Sequence, residues 1–324
     1  MILITGATGN LGKATISSLL TRGIAPNDIT ALVRDEFKAE ELRSKGVQIK
    51  LGNYQDFESL KSAFQGVDKL LLTSSSSDIA MRFEQHKNVI NAAKEAKVGH
   101  ITYTSFDMKS LQESIMGAEV QYHAYTADYL KQSGLPYTLM NNTMYADMIP
   151  FLSGRDILSN GISIPAGKGK TPFLPISEMA EAIAVVLTNP GHENKEYVIA
   201  AETAFSFGEI ADLLSDITGK RIPYHQPEIA TYIAGLIQNG ASEDDAAYIS
   251  RFCVAIANGE FETNKSDMKQ LLGRSPLSLN DFLRKIYSEG CKSFISIIFF
   301  NLLIPRKEEY PSFNYVCRYE RGRV

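Results

Sequence analysis

Met1-Ile2-Leu3-Ile4-Thr5-Gly6-Ala7-Thr8-Gly9-Asn10-Leu11-Gly12 opens the chain. A short apolar run leads directly into three glycines spaced three apart, and an amphipathic stretch follows, so the spacing predicts strand, tight turn and helix. Gly6 permits the sharp exit from the strand, Gly9 lets backbone approach a ligand with no Cβ in the way, and Gly12 lets helix and sheet pack closely. The helix N-terminus then offers unpaired N–H groups and the positive end of its dipole to a pyrophosphate. A glycine-rich turn with no ligand shares this spacing; the strand before it and the helix after it favour the dinucleotide fingerprint.

Outward from that turn, short apolar runs alternate with longer amphipathic ones. Strands are expected at Met1 to Thr5, Ile29 to Val33, Val47 to Leu51, Lys69 to Thr73, His100 to Thr104 and Tyr137 to Asn141. Helices are expected near Leu11 to Arg22, Glu36 to Lys45, Phe57 to Phe64, Met81 to Lys97 and Val120 to Ser133. In the fourth helix Phe83, Val89, Ile90 and Ala93 approximate one face. Six strands in this alternation make a Rossmann-like, doubly wound parallel α/β sheet with ligands at the carboxyl ends of its strands. Beyond Asn141 the pattern loosens around Pro150, Pro165, Pro172 and Pro175, then resumes as helices at 177–187, 206–218, 227–239, 243–258 and 279–288, with a short strand at Tyr197 to Ala200. The expected organisation is a dinucleotide-binding domain over 1–142, a smaller mixed α/β lobe over 143–289 interleaved with it, and an atypical tail over 290–324.

The second strand ends Val33-Arg34-Asp35, about twenty residues after the glycines, where such folds contact the adenosine ribose. An acidic residue there would bond the 2'-hydroxyl and repel a 2'-phosphate, whereas a guanidinium pairs with that phosphate. Arg34 comes first, which favours NADP(H) over NAD(H); the other reading leaves Arg34 as a solvated cation and turns Asp35 to the ribose. Asn53 and Tyr54 either flank the adenine or form a polar strand-end turn. The small hydroxyl residues Thr73-Ser74-Ser75-Ser76-Ser77 either let a cofactor lie close or make a flexible serine loop. By the switch-point rule that loop and Tyr103-Thr104-Ser105-Phe106 rim the nicotinamide, with Phe106 or Tyr103 either stacking on a flat substrate or joining the core.

The formal net charge of −4, with 33 basic residues in 324, gives no broad cationic field, so a small-molecule partner is expected rather than nucleic acid. The opening residues show no charged and apolar leader pattern, so secretion is not expected. Cys253, Cys291 and Cys317 have no paired spacing, which argues against a disulfide framework or a metal site and fits a reducing, cytoplasmic setting. The tail carries six basic against three acidic residues and seven aromatics. Its apolar run from Phe294 to Ile304 is short of the ~20 residues that span a bilayer. Partner docking, packing onto the body and a simple added extension all stay open for it, as does the oligomeric state, a homo-oligomer included.

ITGATGNLG at the start, LVRD at the second strand, KLLLTSSSS, QHKNVINAAKEAKV before ITYTS, and SGLPYTLMNNTMY together resemble the NmrA-like, atypical short-chain dehydrogenase/reductases and, within them, the quinone oxidoreductases of the second type. The likeness covers roughly Met1 to Ser288. It implies NADPH-dependent reduction of quinones, with cofactor contacts at Gly6, Thr8, Gly9, Asn10, Leu11, Gly12 and Arg34. It also implies Ser74, Ser75, Tyr103 and Thr104 beside the nicotinamide, and His123, Asn142 and Tyr145 along the substrate cleft.

One departure concerns chemistry. The Tyr and Lys that ordinary short-chain dehydrogenases place four residues apart fall here on Ala124 and Asp128, and the nearby Tyr125 and Tyr129 bring no lysine. Hydride delivery to a ketone builds a strongly basic alkoxide, so losing a placed acid is costly there. A quinone yields a delocalised phenolate-like anion that water or His123 can quench, leaving the protein a positioning task. His123 and Tyr145 are therefore the candidate catalytic groups, and Phe106, Asn142 and Tyr145 the candidate acceptor contacts. For His123 a satisfied structural histidine is the other reading, and for Tyr145 packing. Lys168 and Lys170 either reach a phosphate or form an exposed basic turn. The rival function is a non-catalytic sensor of NADP+ against NADPH.

Overall fold

The structure is a computed structural model and describes residues 1–153 and 157–288; the tail expectations, including those for Phe294 to Ile304, lie outside the described residues. In chain order the first half runs β1 (Ile2–Ile4), α1 (Asn10–Thr21), β2 (Ile29–Val33), α2 (Glu40–Ser44), β3 (Gln48–Leu51), α3 (Phe57–Ala63), β4 (Lys69–Leu72), α4 (Ile79–Glu95), β5 (His100–Phe106), α5 (Ala118–Gln132) and β6 (Tyr137–Asn142). The remainder comprises α6 (Ile149–Ser153), α7 (Ile157–Asn160), β7 (Ile162–Ser163), α8 (Ile176–Thr188), β8 (Lys195–Ile199), α9 (Phe207–Thr218), β9 (Tyr224–His225), α10 (Ile229–Gln238), α11 (Glu243–Ala257), α12 (Met268–Leu272) and α13 (Leu279–Tyr287).

The main sheet is parallel and ordered β3-β2-β1-β4-β5-β6-β8, with the direction of winding reversing between β1 and β4. It has seven strands rather than six. The short strand expected within the smaller lobe pairs with β6, Asn142 opposite Ile199, so the chain returns to the first sheet before finishing the lobe. Strand alternation sets the two layers. Ile2, Ile4, Leu71 and Ile199 face α1 and α8, while Leu3, Leu70, Leu72 and Leu139 face α3, α4 and α5. A third cluster joins Val120 of α5 to Phe207, Ile256 and Leu283, packing α9, α11 and α13 against the carboxyl end of the sheet. The two-residue pairing of β7 with β9 is too short to show as a period in the sequence.

Two local expectations change. The single helix expected over Glu36 to Lys45 divides into a 3-10 turn, Glu36–Ala39, and α2, because Asp35 caps the turn by accepting the Phe37 N–H at 2.9 Å. On α4 the buried face holds Gln85, His86, Val89, Ile90 and Ala93, and Phe83 moves to its edge against Tyr125 and Tyr129. No helix among the described residues is long and apolar enough to cross a membrane.

Candidate functional site

The strand ends on either side of the switch point are locked by hydroxyl groups. Thr5 Oγ1 donates to the Leu71 carbonyl at 2.9 Å and accepts from the Thr73 N–H at 2.9 Å, while Thr73 Oγ1 returns a bond to the Thr5 carbonyl at 2.8 Å. Tyr54 donates from below to Thr5 Oγ1 and reaches the Thr73 carbonyl at 2.8 Å. Its hydroxyl is a brace under the turn, and burial pushes its pKa up.

On this frame sits the glycine turn. Gly6 has φ +58°, which favours glycine, and the Gly9 N–H closes the turn onto the Gly6 carbonyl at 2.9 Å. A Cβ on Gly12 would stand 2.3 Å from the Gly6 oxygen and 2.8 Å from the Ala7 Cα, so only glycine lets α1 start this close to its own turn. The helix has no side-chain N-cap among the described residues, and its ladder begins with the Lys13 N–H on the Gly9 carbonyl. The Leu11 and Gly12 amides therefore lie outside that ladder, and Gly9 is exposed beside them. This positively polarised cradle fits a pyrophosphate.

Beyond it, Arg34 opens onto a cleft of about 630 Å³ at the carboxyl end of β2. Asp35 is tied to its own turn through Phe37, with Lys38 at 3.8 Å, and Arg43 is held by Glu36 at 3.2 Å and Glu40 at 2.9 Å. Arg34 is exposed and has no carboxylate partner among the described residues. The residues present thus suit a dinucleotide whose adenosine end carries an additional phosphate.

At the other end of the switch point the serine loop is organised from beneath. The Ser74 N–H donates to Thr104 Oγ1 at 2.9 Å, and the Ser75 N–H donates to His86 Nε2 at 2.9 Å. His86 Nδ1 lies 2.9 Å from Thr126 Oγ1, which itself donates to the Tyr122 carbonyl. These roles assign the proton of a neutral His86 to Nδ1. Burial, with the Arg82 charge as a lesser cause, holds its pKa down to about 3.

Sequence reasoning grouped Tyr103 with the nicotinamide contacts, and the structure places it behind that wall. It is fully buried, its ring edge-on to His86 at 5.4 Å and its hydroxyl 2.9 Å from His123 Nδ1. Thr104 is likewise buried, acting through Ser74. His123 stacks on Phe106 at 5.6 Å and contacts Tyr122 at 4.1 Å between ring centres. Burial pushes its pKa well below the ordinary imidazole value, so an imidazolium acid is disfavoured and only the neutral ring is at hand. Phe106 also meets Phe261 edge-on, so it packs against the cluster that joins α5, α9, α11 and α13.

Asn142 ends β6 at 2 % exposure with neither amide atom hydrogen-bonded among the described residues. Tyr145 is its polar neighbour without the geometry of a hydrogen bond, and burial raises the tyrosine pKa to about 12. A buried orphan amide is costly unless a ligand meets it. Of the positions where a Tyr–Lys pair would stand, Ala124 is buried and Asp128 lies on the exposed face of α5. Lys170 pairs with Glu209, and Lys168 is exposed. Two groups absent from the sequence reading join the site: His86, and Asp107, whose carboxyl burial pushes up to about 6 just past β5. His86 had a legible signal, a polar residue in the apolar stripe of α4.

Comparison with known proteins follows the same outline. The model of the NmrA-like family matches residues 1–282. Quinone oxidoreductase 2 of Escherichia coli (strain K12) is 34% identical over 289 residues, 89% of this chain and 99% of that protein. Its crystal structure with NADPH superposes with a TM-score of 0.82 at 33% identity, covering 89% of this chain and all of the other. Triphenylmethane reductase of Citrobacter sp. complexed with NADP(H) gives a TM-score of 0.82 at 33% identity over 88% of this chain and 99% of that one.

Proposed function

The chain belongs to the NmrA-like family, and from that premise we propose that it is an NADPH-dependent reductase of quinones and related flat conjugated acceptors. The observation that carries the reading is the pairing of the glycine cradle, whose Leu11 and Gly12 amides lie outside the helix ladder, with Arg34, an exposed guanidinium with no carboxylate partner among the described residues, while Asp35 is held by its own turn. Gly6, Thr8, Gly9, Asn10, Leu11 and Gly12 hold the diphosphate, and Arg34 the 2'-phosphate. When bound, the reduced nicotinamide supplies the hydride.

Ser74 and Ser75, fixed by Thr104 and His86, floor the nicotinamide half. Tyr103 contributes indirectly by holding His123. Asn142 offers its unpaired amide to the acceptor, with Tyr145 and Phe106 bordering it. Since His123 stays neutral, it serves as a hydrogen-bonding hook, and water is the proton source for the reduced acceptor. Without a lysine at Asp128 or a tyrosine at Ala124, simple ketones and alcohols are poor substrates. A cytoplasmic setting accompanies this reading, supported by the buried free thiol of Cys253, and the net charge of −4 supports a small-molecule partner over nucleic acid. The division at residue 142 is proposed on the same basis, the cofactor half before it and most of the acceptor wall after it.

The test is to mix protein, NADPH and a benzoquinone and follow loss of near-ultraviolet absorbance. Turnover with quinone and none with secondary alcohols supports the reading. No turnover, with tight discrimination between NADP+ and NADPH, establishes the sensor instead.

A further inference from the structure

Arg82, near the start of α4, stands beside the serine loop and Tyr122, and the proposed reaction assigns it no role. Its Nε donates to the Ser77 carbonyl at 2.8 Å, one terminal nitrogen donates to the Tyr122 hydroxyl at 3.2 Å, and its guanidinium carbon lies 5.1 Å from the centre of that ring. Ser74 is a polar neighbour of Tyr122, and Tyr248 of α11 one of Arg82, each without the geometry of a hydrogen bond. The guanidinium therefore spans from the serine loop to the lobe.

Its charge is uncompensated. Among the described residues Arg82 has no ion pair, and Glu119, which acts on the same Tyr248, is paired with Arg251. The groups that feel its charge are Tyr122 and His123 from α5, Tyr103 from β5, Tyr248 from α11 and His86 from its own helix. Both histidines are buried and neutral. A half-buried cation with hydrogen bonds but no carboxylate partner among the described residues favours an anion placed beside it.

We propose that Arg82 is a catalytic residue that meets the oxyanion formed on the acceptor, and so selects acceptors that become anions on reduction over acceptors that are themselves cations. The inference rests on the proposed acceptor site between the serine loop, His123, Phe106 and Asn142. For a quinone, the C–H bond on the reduced nicotinamide breaks, both of its electrons travel with the hydrogen, and a bond from that hydrogen to the quinone forms. The product is a hydroquinone monoanion, whose oxygen Arg82 stabilises until water supplies the second proton. For a cationic triarylmethane dye the hydride bonds to the central carbon and cancels the positive charge. No oxyanion forms, and Arg82 repels the substrate.

The experiment compares wild type, Arg82→Gln and Arg82→Lys as full-length proteins with NADPH, using 2-methyl-1,4-naphthoquinone and malachite green as acceptors. In Arg82→Gln, kcat/KM for the quinone is expected to fall about 30-fold, within the span for losing a charged transition-state donor. The dye rate holds or rises, and Arg82→Lys restores most of the quinone rate. A parallel fall with both acceptors, or no change with either, overturns the proposal.

A second readout needs no turnover: 4-nitrophenol is titrated by absorbance on the protein saturated with NADP+. Its ionisation midpoint is expected about one unit lower on wild type than on Arg82→Gln, a tenfold preference for the phenolate. Equal midpoints, or no binding of the phenol to wild type, contradict the role of Arg82. A wild type that reduces no acceptor yet shows the shifted midpoint defeats the proposed function while sparing the anion site.

Discussion

The adenosine end and the acceptor end of the cleft are built from different materials. At the adenosine end the work falls to backbone: a left-handed Gly6, a Gly12 with no room for a Cβ, and the Leu11 and Gly12 amides outside the α1 ladder, joined by the exposed Arg34. At the acceptor end it falls to side chains brought together from β5, β6, α4, α5 and α11, most of them buried. The contrast teaches that a cofactor is gripped by local chain geometry, whereas an acceptor is positioned by tertiary packing, and the two ends should fail differently when altered.

The largest effect is expected at the backbone end. Gly12→Ala forces a Cβ into the Gly6 carbonyl and should cost about 3 kcal/mol in chemical denaturation while abolishing NADPH binding. A variant of wild-type stability and affinity would break the comparison.

His86→Gln strikes the acceptor end, disturbing the partners of the Ser75 N–H and Thr126, and should cost about 2 kcal/mol near pH 7.5 while lowering kcat more than NADPH affinity. The pH dependence sharpens this. The folded pKa of His86 is depressed from 6.5 to about 3, so its stabilising neutral form is fully present above pH 6.5 and its contribution is lost as pH falls toward 3. Glutamine does not titrate, so the stability gap between wild type and variant should narrow by about 1.4 kcal/mol for each pH unit below 6.5, closing at about pH 5 and reversing below it. Asp107, raised to about 6, acts in the opposite sense in both proteins and cancels in the difference. A gap independent of pH would mean His86 is not buried neutral.

The smallest change in stability, and one of opposite sign, is expected at Asn142. Replacing its unsatisfied buried amide with a similar apolar shape, Asn142→Leu, should stabilise the fold by up to about 1 kcal/mol and raise the acceptor KM about tenfold, with NADPH affinity unchanged. Loss of stability together with an unaltered KM would make Asn142 an ordinary core residue.

This division also explains what the sequence disclosed. The glycine spacing, the strands through Asn142 and the position of Arg34 were legible because each depends on neighbours within a few residues. The edge strand Lys195–Ile199 was visible as a strand, but its pairing with β6 was not, since that contact spans more than fifty residues of chain. Tyr103 sat at the right strand end, yet only packing decided that its ring turns away from the cleft toward His86 and His123. Arg82 and His86 lie one helical turn apart on α4, a spacing that puts them on one face, but nothing local says that the face meets the serine loop.

The central claim is that the chain grips NADP(H) through backbone at the first turn and through Arg34 at the extra phosphate. Calorimetric titration of wild type and Arg34→Ala with NADPH and NADH tests it most directly. The account predicts that the substitution weakens NADPH about 10- to 100-fold and leaves NADH nearly unchanged. Equal losses for both nucleotides, or no heat with either on wild type, would contradict it.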